Sequence, residues 1–181
     1  MMTTDTDQTP RVWIGCLHCY NGARLVGDWF PAAGADLVTV EQVHGSSRSP
    51  RWDCEELWCY DHEGLPISGE CSPMEAARWA ERLGEVEEHL RAAFGAWAAA
   101  GSFSADSDGM PDTDEFVHAY CGTWPSFGAY AEDLAEQTGL MAGWPGLAVL
   151  HFNWSGWTRD LAYDYTVVDA PDGEAFVFRN H

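Results

Sequence analysis

The sequence predicts an α+β fold, and three observations predict it. Short apolar runs that suit strands lie in the first and last thirds of the 181 residues. Helical apolar periodicity fills the middle, and a turn sequence near the C-terminus joins two strand-like segments. In chain order, Met1 to Pro10 has neither the basic nor the apolar region of a signal peptide and reads as a frayed tail. Arg11 to Leu17 is a buried-strand candidate, followed by the Asn21-Gly22 turn signal. Asp36 to His44 reads as a short amphipathic helix and Gly45 to Pro50 as a polar loop. Glu55 to Tyr60 reads as a second strand, closed by Asp61-His62-Glu63-Gly64.

The middle of the chain is helical by pattern. Ser72-Pro73-Met74-Glu75 is a capping box with proline at the first helical position, and Ala76, Ala77, Ala80 and Leu83 share the face that follows. Gly84 breaks that run. Val86, Leu90, Ala93, Phe94 and Trp97 then recur at helical spacing. Gly101 to Met110 is an acidic loop, and Asp112 with Glu115 forms a second capping pair that opens a helix through Tyr120. Further on, Phe127, Tyr130, Ala131 and Leu134 define a helix face that Gly139 terminates. Trp154, Trp157, Thr158 and Leu161 define another, capped by Asn153. Tyr165 to Asp169 and Glu174 to Arg179 flank Pro171-Asp172-Gly173 as a β-hairpin.

Charge bounds the function. Aspartate and glutamate number 29 against nine arginines, with no lysine, for a formal net charge of −20. A nucleic-acid binder needs a basic face, and a membrane-surface protein needs a polybasic one; neither can be built from this composition. Disorder would fit the charge but not a chain that is 46% hydrophobic and 13% aromatic. No stretch approaches the ~18 apolar residues of a membrane span, so the expected place is the cytoplasm.

The carboxylates are patterned. Taking about 100° per helical residue, Tyr130, Ala131 and Leu134 fall near Phe127, while Glu132, Asp133 and Glu136 fall on the opposite face. No basic residue lies one turn away to neutralise them. Glu85, Glu87 and Glu88 have only Arg82 and Arg91 within reach. Further acidic groups are Asp53-Glu55-Glu56, Asp61-Glu63, Glu75 with Glu81, and Asp106-Asp108-Asp112-Asp114-Glu115. Two readings account for this: a heavily solvated surface, or imitation of a polyanion. B-DNA carries one phosphate per ~1.7 Å of axis, so twenty net charges correspond to roughly 34 Å of duplex, about ten base pairs.

Other chemistry finds little support. Cys16-Leu17-His18-Cys19 is a C-x-x-C without a second C-x-x-C or H-x-x-x-H partner, and Cys16 sits in an apolar run, so zinc is not expected and no cofactor is implied. The seven histidines form no H-E-x-x-H spacing. Asp61-His62-Glu63 reads as surface hydrogen bonding rather than acid–base catalysis. Asp106-Ser107-Asp108-Gly109 places glycine too early for an EF-hand. An enzyme is not expected. Most of the ten tryptophans should be core, with some free for a subunit contact.

Four collinear strings sharpen the choice. Trp13-Ile14-Gly15-Cys16-Leu17 followed by Tyr20 to Trp29 resembles the opening motif of the ArdA antirestriction family. Trp58 to Pro66 is similar to a second segment of that family, and Glu115 to Trp124 followed by Tyr130 to Leu134 resembles a third. Trp157 to Leu161, Tyr165-Thr166-Val167 and Val177-Phe178-Arg179 are similar to its closing helix and hairpin. The resemblance implies a cytoplasmic protein, often carried on mobile genetic elements. It would mimic double-stranded DNA and occupy the DNA-binding groove of a type I restriction-modification enzyme at its specificity and methyltransferase core. It also implies an elongated homodimer of three-domain protomers, here 1–66 (mixed α/β), 67–121 (helical) and 122–181 (α+β, dimerising). The acidic groups named above would form the partner-binding surface. The departures are Gln42 to Arg51, Ala98 to Met110, and Leu65-Pro66. The second reading is an acidic module that binds another basic DNA-binding protein.

Overall fold

A computed structural model of the chain describes residues 9–45, 53–101 and 103–180. Its class is α+β: short helices accompany two small antiparallel sheets. The chain divides into two compact units, Met1–Glu88 and His89–His181. The frayed tail expected at the start and the loop expected over Gly45 to Pro50 lie outside the described residues, except for Thr9, Pro10 and Gly45.

In the first unit, β1 (Arg11–Cys16) is the central strand, flanked by β2 (Gly27–Pro31) and β3 (Leu57–Glu63), both antiparallel to it. Val12, Ile14 and Cys16 alternate inward and are buried. The opposite face pairs Gly15 with Gly27, and the Trp13 indole lies over both glycines, filling the space that side chains there would take. Strand β2 carries little apolar alternation and ends in Pro31, which an edge strand tolerates; that weak pattern hides it in the sequence. A short helix, α1 (Leu17–Asn21), follows β1 directly and closes at the expected turn, where the Gly22 amide donates to the His18 and Cys19 carbonyls.

The single helix expected over Asp36 to His44 is split. A 3₁₀ turn (Ala35–Leu37) ends at extended Val38, and α2 (Val40–His44) starts afresh because Thr39 and Gln42 cap it reciprocally. Next, α3 (Pro73–Glu85) begins where expected, with the Ser72 hydroxyl accepting from the Glu75 amide. Its buried residues are Ala76, Trp79 and Leu83; the large indole displaces Ala77 and Ala80 to partial exposure. Gly84 sits inside the last turn rather than ending the helix.

The second unit opens with α4 (Arg91–Ala99), which Val86 and Leu90 precede rather than join. After α5 (Thr113–Ala119) come β4 (Tyr120–Trp124), α6 (Phe127–Gln137), α7 (Gly146–Leu150) and α8 (Trp154–Leu161). The hairpin strands β5 (Tyr165–Asp169) and β6 (Ala175–Arg179) complete it, in sheet order β4-β6-β5. As the central strand, β6 is buried on both faces, hence its unbroken run Ala175-Phe176-Val177-Phe178. Phe178 meets Phe116, which packs edge-on to Phe94 and beside Trp97. Val177 lies in a second cluster with Tyr130 and Tyr165, against which Trp124, Phe127, Leu134 and Leu161 pack. Helix α6 ends as expected: Gly139 adopts φ +64°, and the Leu140 amide reaches back to the Ala135 carbonyl at 2.9 Å. Neither β4 nor α7 is legible in the sequence, since β4 lacks strict alternation and α7 buries no residue.

Two glycine substitutions test this packing in opposite directions. A Cβ at Gly27 would press on the Trp13 ring and stand 2.6 Å from the Ile14 carbonyl oxygen. Gly27→Ala should therefore lower the denaturant midpoint by the equivalent of about 1–3 kcal/mol. At Gly84 a Cβ meets nothing within 4 Å, and Gly84→Ala should raise stability by about 0.5–1 kcal/mol.

Candidate functional site

Strand β3 shows how the fold directs charge outward. Ile14 pairs with Cys59 and Trp13 with Asp61, so Tyr60 is an extra residue in the strand. Simple alternation would put Asp61 and Glu63 on the buried face of Cys59. The bulge transfers them to the face of Arg11 and Trp13, and both are exposed. Glu55 and Glu56, which lead into β3, are exposed too, whereas Asp53 is half-buried and pairs with His18 Nε2 at 3.2 Å.

On α3, Glu81 and Glu85 are exposed, Glu85 beside Arg82 at 3.4 Å, while Glu75 is half-buried in the first turn. Glu87 and Glu88 are exposed just beyond it. In the second unit several acids hold the backbone. Asp106 Oδ1 accepts from the amides of Asp108 and Met110, and Asp112 Oδ1 caps α5 by accepting from Asp114 and Glu115. The Glu115 carboxylate accepts from the Ser104 amide across the loop, not from the Asp112 amide that a capping box would supply. Asp108, Asp112 and Asp114 are exposed; Asp106 and Glu115 are partly covered.

Helix α6 presents its carboxylates as its geometry requires. Tyr130, Ala131 and Ala135 are buried, and Glu132 and Glu136 are exposed on the other side. Asp133 is partly covered and accepts from Gln137 Nε2 one turn on. Glu132 and Glu136 also rim an open depression of about 510 Å³ whose wall includes Met141 and Trp154. Two carboxylates beside an indole suit a guanidinium group, which ion pairing and ring stacking both favour.

Sequence grouping overlooked further exposed acids. Asp169, Asp172 and Glu174 come together at the tip of the β5–β6 hairpin, and Asp28, Asp36, Glu41, Glu70 and Asp164 are exposed singly. These stand outside local acidic runs, and the hairpin register was the available signal. Its own backbone amide, and then the Thr39 hydroxyl, hold the Glu41 carboxyl below the usual carboxylate range. Several arginines are engaged elsewhere: Arg11 lies over the Trp29 ring, Arg24 Nη2 reaches Cys19 Sγ at 3.6 Å, and Arg179 stands opposite Tyr165 in the β5–β6 register.

Side chains that could hold a metal are also present. Among the described residues, Cys16, Cys19, His44 and Cys54 bring their ligand atoms within 4.8 Å of one another, all buried. Burial pushes the Cys16 thiol up to about 11.

The fold and its exterior thus define an acidic-surface protein, in which small aromatic cores carry a densely anionic outside and no helix among the described residues is long and apolar enough to cross a membrane. The family model for antirestriction protein (ArdA) matches residues 12–175, and the chain belongs to that family. Membership implies an antirestriction function and interaction with restriction enzymes. No curated protein matches the chain.

If Glu132 and Glu136 serve a partner rather than the fold, neutralising them should cost no stability. Like charges one turn apart repel by a few tenths of a kcal/mol. The double variant Glu132→Gln/Glu136→Gln should melt at the same temperature as the parent or slightly above it, by scanning calorimetry.

Proposed function

We propose that the chain is a double-stranded DNA mimic that occupies the DNA-binding groove of type I restriction-modification enzymes and blocks their action on DNA. The observation that carries this reading is the exposure of carboxylates over both units, from Glu55, Glu56, Asp61 and Glu63 to Glu132 and Glu136, in a chain of the ArdA family. A groove built to bind phosphates supplies arginines and lysines at a spacing set by DNA, and a carboxylate array of similar density competes for them. Inhibition is then distributed over many weak ion pairs, and no side chain is catalytic.

The protomer is proposed to consist of three domains, 1–66, 67–121 and 122–181, and to act as a homodimer in the cytoplasm. The exposed apolar residues Leu147 and Leu150 of α7, with Trp144 just before it, support self-association through the last of these. Leu147→Asp/Leu150→Asp should convert a dimer to a monomer in light scattering, with circular dichroism unchanged.

The decisive measurement is plating of unmodified phage on a host with a type I restriction system. Expression of the chain should restore plating. Lack of protection against several type I systems would shift the reading to some other basic DNA-binding protein as the target. Each single neutralisation among the exposed acids should weaken binding to the purified enzyme by less than about fivefold, the worth of one exposed ion pair at ~1 kcal/mol. Combined neutralisation of Glu132, Asp133 and Glu136 should weaken it more. One alanine that abolished inhibition in a folded protein would defeat the distributed mechanism. Affinity should also fall with added salt, because association releases counterions; a salt-insensitive complex would indicate apolar docking.

A further inference from the structure

Cys16, Cys19, His44 and Cys54 are scattered in sequence but come together inside the first unit. Each arrives there for a separate reason. Cys16 is the last residue of β1 and continues the inward alternation of Val12 and Ile14. Helix α1 turns the chain at once and carries Cys19, its one buried residue, back to the same interior. His44 is the last residue of α2 and is buried along with Val43. Cys54 precedes β3, in a segment held close by the bond from the Leu17 amide to the Glu56 carbonyl at 3.0 Å.

Ordinary core packing explains the three cysteines, since a buried thiol behaves as a small apolar group. It does not explain the histidine. His44 is only 6% exposed, and its buried Nε2 has no hydrogen-bond partner among the described residues. An imidazole enclosed with thiols loses its hydration, and a cation among the four would take the nitrogen lone pair and the sulfurs together. The separation of Cys19 Sγ and Cys54 Sγ is 3.9 Å. That is far beyond a disulfide bond and close to the ~3.8 Å edge of a tetrahedron of thiolates each 2.3 Å from zinc.

We propose that Cys16, Cys19, His44 and Cys54 form a structural zinc site of the Cys₃His type. Four protein donors and complete burial leave no position for water or substrate, which makes the site structural rather than catalytic. Sulfur and imidazole donors favour zinc over magnesium or calcium. Three thiolates and a neutral imidazole around Zn²⁺ carry one net negative charge. Arg24 Nη2 stands 3.6 Å from Cys19 Sγ to offset it. The ion would tie the end of β1, α1, α2 and the lead into β3 to one point.

Metal content decides the matter without any restriction assay, so its outcome is separate from the function proposed above. The full chain, purified with zinc in the medium and with any affinity tag removed, should hold about one zinc per chain by plasma mass spectrometry. Exchange into Co²⁺ should produce the intense visible bands of tetrahedral thiolate-bound cobalt. Cys54→Ser should lose the metal, while His44→Cys, which preserves four soft donors, and Cys121→Ser, outside the cluster, should retain it. A chelator should lower the melting temperature of the parent chain and leave Cys54→Ser unmoved. Wild-type protein that contains little zinc and forms no tetrahedral cobalt complex would overturn the site. So would a disulfide among Cys16, Cys19 and Cys54 by mass spectrometry, or full zinc content in Cys54→Ser. Should that variant fail to fold, the cobalt spectrum of the wild-type chain decides between the two outcomes.

Discussion

Mutual repulsion among surface carboxylates is the constraint on which this structure depends. Twenty excess negative charges on 181 residues oppose any compact state, and the buried cores must supply enough apolar contact to hold that charge in place. The magnitudes permit it. A like-charge pair one helical turn apart costs about 0.2–0.5 kcal/mol, whereas burying one large apolar side chain contributes about 1.5–3 kcal/mol. Phe94, Trp97, Phe116 and Phe178 are each almost completely enclosed. A few such residues offset many repulsive contacts, which accounts for aromatic cores beneath an acidic exterior.

The same constraint shapes how basic residues are used. With nine arginines for 29 acids, neutralisation is not available as a general device. Arg11 rests on Trp29, Arg24 reaches Cys19 and Arg179 faces Tyr165 across the hairpin register. Some carboxylates have backbone duties as well, Asp106 and Asp112 by accepting amide bonds and Glu115 by bracing Ser104. Asp106 and Glu115 are partly covered in doing so, whereas Asp112 stays exposed while it caps α5. A zinc ion in the first unit would serve the same end as the aromatic clusters of the second, adding cohesion without adding surface.

Much of the fold was legible where one local signal was sufficient. Ser72, Asp112, Asn153 and Gly139 mark helix ends through bonds to residues within a few positions, and all four act as expected. The hairpin over Pro171-Asp172-Gly173 is equally local. Strands β2 and β4 escaped notice because neither alternates apolar and polar residues cleanly, and β4 pairs only with β6, far along the chain. The C-x-x-C at Cys16 looked partnerless for a related reason: its companions, His44 and Cys54, follow no fixed spacing.

By itself, then, the sequence determined the α+β class, the excess of acid, the apolar and acidic faces of α6, and the resemblance that the family match bears out. These are properties of composition and of neighbours within one or two turns. Only the tertiary structure decided which acids face outward and which hold the backbone, how the bulge at Tyr60 turns Asp61 and Glu63 away from the core, and that four distant side chains meet around one buried point. Each of these depends on register and packing between remote segments, and such contacts exist only once the sheets have formed.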